Sequence, residues 1–208
     1  MADTATVPAL IPLSLLEAIR NLDTPIEDGL DELAREVVVK RLGLSGTVAA
    51  QIERYQEAAE RGERVGREEA QGVFRLVARR PDAALAFAEA GRRAARHAAR
   101  GARSAQALVR VSPVAFSRGL GLRATRSVAG KLFDAELRSA GKAIEARVAT
   151  PLTIDALPDG GGCVFFGSLF AELLRCLGGF EGAMTHDRCR ARGDAQCAWR
   201  WVEAEGYQ

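Results

Sequence analysis

The sequence has no long uninterrupted apolar stretch. The longest, Ala83–Ala88 and Cys163–Gly167, fall far short of the roughly 18 residues needed to cross a bilayer, so no transmembrane segment is predicted. Residues 1–11 also lack a basic region followed by an apolar one, so no secretory signal is predicted. We therefore expect a cytoplasmic protein, in which cysteines stay reduced.

Residues for acid–base chemistry are also scarce. The chain has two histidines, and it shows no Ser–His–Asp arrangement, no paired carboxylates and no flavin or NAD fingerprint. The segment Arg118–Gly121 contains two glycines but lacks the strand-to-helix context of a phosphate-binding loop. These absences favour a binding protein over an enzyme.

Acidic residues are missing from residues 92–132, which carry ten basic residues. Four arginines fall on one helical face: Arg92, Arg96, Arg100 and Arg103. Such a stripe can bind phosphates, but no interleaved aromatic residue and no reading motif accompanies it, so nucleic-acid binding is not expected. A solvated helix, a helix against the acidic N-terminal helices, and a site for an anionic ligand or acidic partner protein stay open. His97, beside this stripe, is predicted to be exposed and without a role.

The composition, 48% apolar and 27% charged over 208 residues, predicts one domain with a packed core. We expect a helical part over residues 1–105 and a sheet part over residues 106–208. A capping box at Thr24–Glu27 predicts a helix that ends at Gly43. Further helices are predicted at 47–60, 68–79 and 81–99.

The second half changes to alternating apolar and polar residues. Residues 133–137 and 144–148 predict one β-hairpin, and residues 181–189 and 197–202 predict another. Between them, Cys163–Leu177 predicts a mostly buried helix with one narrow polar stripe, formed by Ser168, Glu172 and Arg175. The expected fold class is α+β, with the N-terminal helices packed on a β-β-α-β-β antiparallel sheet unit.

An apolar stripe near the N-terminus requires burial. Leu15, Leu16 and Ile19 form this stripe, and two-fold pairing is a common way to cover such a surface. The stripe predicts a homodimer through the N-terminal helices. The alternative is that this helix docks onto its own domain.

Three cysteines and a histidine predict a metal site. Cys189 and Cys197 are separated by seven residues in the second hairpin, His186 lies three residues before Cys189, and Cys163 begins the buried helix. Three thiolates and one imidazole are a known tetrahedral zinc set. The alternatives are buried cysteines that only fill the core and a redox or disulfide role. Cys176 is assigned to the core.

One geometric condition must be met for this site. In an unbroken strand His186 and Cys189 point to opposite faces, so a bulge or an early strand end is required between them. Asp187 is the substitute ligand if neither occurs.

The same segment carries a resemblance to a known family. It contains Cys163, Gly167, Leu177-Gly178-Gly179, His186-Asp187-Arg188-Cys189, Ala191-Arg192-Gly193-Asp194 and Cys197. In this pattern the chain resembles the 4-vinyl reductase-like small-molecule-binding domains, which include sensory domains of aromatic-catabolism activators and are distantly related to TRAPP vesicle-tethering subunits. The resemblance implies a NO-signalling/Golgi-transport ligand-binding-like fold, a buried pocket and frequent dimerisation. Phenol-sensing relatives bind zinc with Cys, Glu, Cys and Cys. Here Cys163, Cys189 and Cys197 match the three cysteines, and His186 replaces the glutamate.

The resemblance implies a non-enzymatic sensor or carrier for an apolar small molecule, with its output through a separate effector protein. We expect four aromatic residues to touch the ligand: Phe133, Phe166, Phe170 and Trp199. Two alternatives stay open. One is an adaptor or dimerisation protein like the tethering subunits, and the other is a tetrapyrrole vinyl reductase or its accessory protein.

Overall fold

A computed structural model describes residues 6–23, 46–102, 114–140 and 143–204. The helices are α1 (Leu10–Asp23), α2 (Gly46–Glu60), α3 (Arg67–Ala78), α4 (Ala83–Gly101), α5 (Val114–Phe133), α6 (Leu152–Ala156) and α7 (Val164–Gly178). The strands are β1 (Thr6–Pro8), β2 (Arg64–Gly66), β3 (Ala135–Ala140), β4 (Ala143–Val148), β5 (Gly182–Arg188) and β6 (Cys197–Glu203). The helix predicted over residues 24–43 lies outside the described residues.

The main sheet has four antiparallel strands in the order β3-β4-β6-β5, and the predicted α+β class is confirmed. Strands β1 and β2 form a separate two-stranded sheet. On the main sheet, apolar residues such as Ala146 and Trp199, which face each other across β4 and β6, point inward and are buried. The outer face carries ion pairs, such as Glu145 with Arg147 at 2.6 Å and with Arg188 at 2.7 Å. Alternation therefore separates a core face from a charged face.

Most of the predicted elements are present, within two residues of their expected ends, except that β3 continues three residues past the predicted end at residue 137. Phe133, which was predicted to begin a strand, is instead the last residue of α5, and Asp134 turns the chain with a φ of 50°. Helix α5 itself was not predicted. It contains Gly119, Gly121 and Gly130, which each lower helix propensity by about 1 kcal/mol.

Helix α7 lies at the centre of the protein, where it packs against α4, α5 and β5. Two glycines permit this close packing. A Cβ on Gly91 of α4 would lie 2.2 Å from the carbonyl oxygen of Phe165, and a Cβ on Gly121 of α5 would lie 2.3 Å from the Cα of Gly178. By length and composition alone, Gly161–Gly178 could cross a membrane, but 67% of it is buried inside the fold. Its position in the core accounts for its apolar composition.

The N-terminal stripe is covered within its own chain. Leu15, Leu16 and Ile19 are buried, and α1 packs against α2, α3 and α4. The stripe is therefore not an uncovered surface that requires a dimer, because α1 docks onto its own domain, as in the alternative interpretation. The homodimer itself stays a prediction.

Part of the basic stripe on α4 is paired with acidic side chains of the same chain. Arg92, Arg93 and Arg96 form ion pairs with Glu89 of the same helix. His97 was expected to be exposed and without a role, but it is half-buried and its Nε2 lies 3.1 Å from a carboxylate oxygen of Glu17 on α1. Burial opposes ionisation of Glu17, yet the contact with His97 keeps its pKa below the ordinary value. Arg93 and His97 thus face α1, and Arg96 faces Glu172 of α7. Arg100 is exposed, and Arg103 lies outside the described residues.

Candidate metal centre

The four side chains predicted as metal ligands converge at one end of α7. Cys163 lies just before α7, His186 is in β5, Cys189 follows β5, and Cys197 begins β6. Their candidate ligand atoms all lie within 4.8 Å of one another. The three cysteines are buried and His186 is half-buried. This cluster could hold a metal ion.

A bulge in β5 meets the geometric condition set by the sequence. His186 pairs with Trp199 and Arg188 pairs with Ala198, so Asp187 is an extra residue in the strand. The bulge brings Cys189 to the side of the sheet that His186 occupies. Asp187 is exposed and accepts a 2.7 Å bond from Arg200, so it is not part of the cluster.

The loop between Cys189 and Cys197 is held by its own backbone and one carboxylate. Residues Arg190–Arg192 form a 3-10 turn, and Gly193 follows with a φ of 90°, which glycine adopts without strain. Asp194 Oδ2 then accepts a 2.7 Å hydrogen bond from the N–H of Cys189. Gly193 and Asp194 therefore turn the chain back, so that the thiols of Cys189 and Cys197 lie close together.

A glycine loop positions Cys163. Gly160 has a φ of 81°, and a Cβ there would lie 3.1 Å from the sulfur of Cys189. The close approach of this loop to the hairpin thus requires glycine. Cys163 is the N-cap of α7, where the helix dipole favours a thiolate, and its sulfur lies 3.6 Å from Oγ1 of Thr153.

The distance between two of the sulfurs suits a tetrahedral ion. The sulfurs of Cys189 and Cys197 are 3.9 Å apart, which is much longer than a disulfide. Two sulfurs bound tetrahedrally at about 2.3 Å from one ion would be about 3.8 Å apart. The sulfur of Cys197 also accepts a 3.4 Å hydrogen bond from the N–H of Arg190. Such outer contacts orient metal ligands.

In the absence of a metal ion, burial shifts the pKa values of Cys163, Cys197 and His186 in the direction that favours their neutral forms. It raises the pKa of the Cys163 thiol, and the neighbouring Cys197 and Cys189 raise it further. Burial likewise raises the pKa of Cys197. It lowers the pKa of His186, as does the charge of Arg192, so the imidazole is kept neutral. A bound cation would reverse the preference of the thiols for their protonated form.

One buried polar atom in this cluster lacks a partner. The Nε2 atom of His186 is buried and makes no hydrogen bond with any described residue. The imidazole stacks on the indole of Trp199, with 4.7 Å between ring centroids. Buried nitrogen atoms are normally satisfied, and a metal ion bound through this atom would give it a partner.

A groove of about 540 Å³ begins at this cluster. It runs between α7 and the edge strand β5, from Cys163 and His186 towards Arg175 and Gly182. Along α7 this is a length of about 18 Å. Its wall on α7 includes the polar stripe that the sequence predicted: Ser168, Glu172 and Arg175.

Of the four aromatic residues expected to touch a ligand, Trp199 lines this groove. Phe133, Phe166 and Phe170 are buried in the core instead. Phe166 and Phe170 stack on each other at 5.9 Å, and both contact the Trp199 ring. Their part in ligand binding stays a prediction.

Sequence reasoning did not identify Arg92 of α4 and Met184 of β5 as groove residues. The spacing of the polar stripe on α7 was the available signal for a groove, because a polar stripe on a core helix has to face solvent or a cavity.

Comparison of the chain with protein-family models, with curated proteins and with solved structures gives no match.

Proposed function

We propose that this protein is a non-enzymatic domain that binds a small molecule in the groove and is stabilised by one structural zinc ion. The observation that carries the proposal is the convergence of Cys163, His186, Cys189 and Cys197 at the end of that groove. Cys163 and His186 belong to both the candidate metal cluster and the groove wall.

The donor set favours zinc among the common metal ions. Three thiolates and one imidazole are soft and borderline ligands, whereas calcium and magnesium require oxygen ligands. Four protein ligands complete a tetrahedral zinc site and leave no position for a reacting water. Zinc here would therefore support the fold and would not activate a substrate.

The position of the zinc ion explains how it would support binding. Cys189 and Cys197 belong to the hairpin β5–β6, and Cys163 belongs to the start of α7, so the ion would join the two walls of the groove. Because such a site does not exist in the unfolded chain, the free energy of metal binding contributes to folding.

The charged groups in the groove also favour binding over catalysis. Glu172 lines the groove, but Arg175 donates two hydrogen bonds to it, at 2.8 and 2.6 Å. These bonds lower the pKa of Glu172 despite its burial, so the carboxyl group stays ionised and is a poor proton donor. The resemblance to the 4-vinyl reductase-like domains supports the same proposal, namely a sensor or carrier that acts through a separate effector protein.

Metal analysis and calorimetry on the full chain test this function. Native mass spectrometry should show one zinc ion per chain, which Cys189→Ser should lose and Cys176→Ser should keep. The neutral probe 1-naphthaleneacetamide should bind saturably to the zinc-loaded protein. Ala171→Phe, which fills the groove from a helical position, should abolish that binding. Well under one equivalent of metal would overturn the zinc site, and probe binding that survives Ala171→Phe would overturn the groove.

A further inference from the structure

We infer that the groove selects an anionic ligand, a carboxylate attached to a flat apolar group. The inference rests on the proposed function, and it names the chemical class of the ligand for the same groove. It follows from three side chains with hydrogen-bond donors, Trp199, Ser168 and Arg92, that line the groove beside the same stretch of α7.

The first two donors come from the floor and wall of the groove. The indole Nε1 of Trp199 lies beside Gly167, where a Cβ would be 3.4 Å from it. Ser168 follows Gly167 on the polar stripe of α7. Neither Nε1 nor the Ser168 hydroxyl makes a hydrogen bond with any residue that the structure describes.

The third donor is Arg92 on α4. Gly91 touches the backbone of Phe165 and Leu169, so Arg92 enters the groove at the level of Trp199 and Ser168. Its Nε donates to Glu89 at 3.0 Å. Its two Nη atoms make no hydrogen bond within the described part of the chain. The guanidinium thus keeps its free donors for a ligand.

The one carboxylate in the groove does not compete with a ligand anion. Both oxygens of Glu172 accept hydrogen bonds from Arg175, and Arg96 lies 3.5 Å from one of them. Two guanidinium groups therefore compensate its charge. Arg92 also lines the groove, and its partner Glu89 is shared with Arg93 and Arg96. One carboxylate serves these three guanidinium groups, so a net positive charge remains beside the two neutral donors.

The size and charge of this donor set select the anion. One guanidinium with two neutral donors balances a single negative charge, and a carboxylate accepts bonds on two oxygens from a planar guanidinium. Apart from the polar stripe, Cys163 and His186, the wall includes small or apolar residues: Val164, Gly167, Ala171 and Met184. Gly167 and Ala171 leave room for a flat group beside the α7 backbone. An aryl carboxylate therefore fits both the hydrogen-bond donors and the small or apolar part of the wall.

A matched pair of probes tests the inference on the zinc-loaded full chain. Isothermal titration calorimetry compares 1-naphthaleneacetate with 1-naphthaleneacetamide, which differ in charge and share the same ring. We expect the carboxylate to bind at least tenfold more tightly. Arg92→Gln should reduce its affinity to that of the amide. Arg92→Lys, which keeps the charge and loses the planar fork, should fall between the two.

Arg75→Gln is the control for net charge, because Arg75 lies on α3 and donates to Gln71 at 3.4 Å outside the groove. It should leave both affinities unchanged. Equal affinity for the two probes would overturn the anion selectivity and leave the proposed function intact. Equal loss in Arg92→Gln and Arg75→Gln would overturn the site at Arg92. Failure of both probes to bind would overturn the proposed function itself.

Discussion

The imidazole of His186 lies parallel to the indole of Trp199, with 10° between the two planes. Trp199 in turn contacts Phe166 and Phe170, and Phe166 contacts Phe165. A continuous row of aromatic rings thus joins the candidate metal centre to the middle of the core. The orientation of His186 is fixed by this packing as well as by the strand.

We expect His186→Ala to weaken zinc binding by at least about tenfold, the lower end of what even an outer-shell substitution costs. Its removal also uncovers one face of Trp199, so the tryptophan emission should shift to longer wavelength. Competition with a chromophoric chelator measures the zinc affinity. His97→Ala is the control: it should leave the zinc affinity unchanged, because His97 contacts Glu17 far from the cluster in the fold. Unchanged affinity in His186→Ala would exclude His186 as a ligand.

Gly91→Ala should destabilise the protein by about 3 kcal/mol or more, because its Cβ would lie 2.2 Å from the Phe165 carbonyl oxygen and would force α4 and α7 apart. The matched variant is Gly72→Ala in α3, where a Cβ meets nothing within 4 Å. That change should stabilise the protein by up to about 1 kcal/mol through helix propensity. Urea unfolding of both variants measures the free energies. Similar values for the two would contradict the close packing.

The ion pair of Glu172 predicts a loss of stability in acid. Because the pKa of Glu172 is lowered in the folded chain, the unfolded chain binds the proton more readily. Its contribution is therefore complete above the unfolded pKa of about 4.3 and is lost as the pH falls through the folded pKa.

Glu172→Gln should cost about 2 kcal/mol at pH 7, as expected for lost hydrogen bonds to a charged group. Its free energy of unfolding should fall less steeply below pH 4 than that of the unchanged chain. Glu68→Gln, at an exposed position with no ion pair within the described residues, should keep the steep fall. Parallel slopes for Glu172→Gln and the unchanged chain would contradict the role of this ion pair.

Phe166→Trp tests whether Phe166 packs the core or touches a ligand. Phe166 is 3% exposed, so the larger ring should overpack the core and cost about 1–3 kcal/mol. Leu85→Trp at a position that is 53% exposed should cost little. Thermal unfolding gives both effects. A stable Phe166→Trp protein that loses affinity for 1-naphthaleneacetamide would instead place Phe166 at the ligand.

Most of the secondary structure was predicted from the periodicity of the apolar residues. The apolar pattern of residues 163–177 and the alternation in both hairpins are local signals, and the structure has these elements within three residues of their predicted ends. The four candidate ligands followed from residue type and spacing. The bulge at Asp187 could be named as a condition but not located, because nothing in an alternating pattern marks the extra residue.

Tertiary contacts, which the sequence does not reveal, account for the features that were not predicted. Helix α5 forms despite its glycines, since Gly121 packs against Gly178 and the packing outweighs the propensity. Arg92 enters the groove because Gly91 brings α4 against α7, and the sequence of α4 does not reveal its neighbour. The expected exposure of His97 was wrong for the same reason, because its partner Glu17 is 80 residues away in the chain.

The bulge has a second consequence, because β5 is an edge strand of the main sheet. The unpaired backbone groups of an open edge strand can hydrogen-bond to a strand from another chain, and a bulge disrupts the regular spacing that such pairing requires. The irregularity that brings His186 and Cys189 together thus also guards the sheet against aggregation.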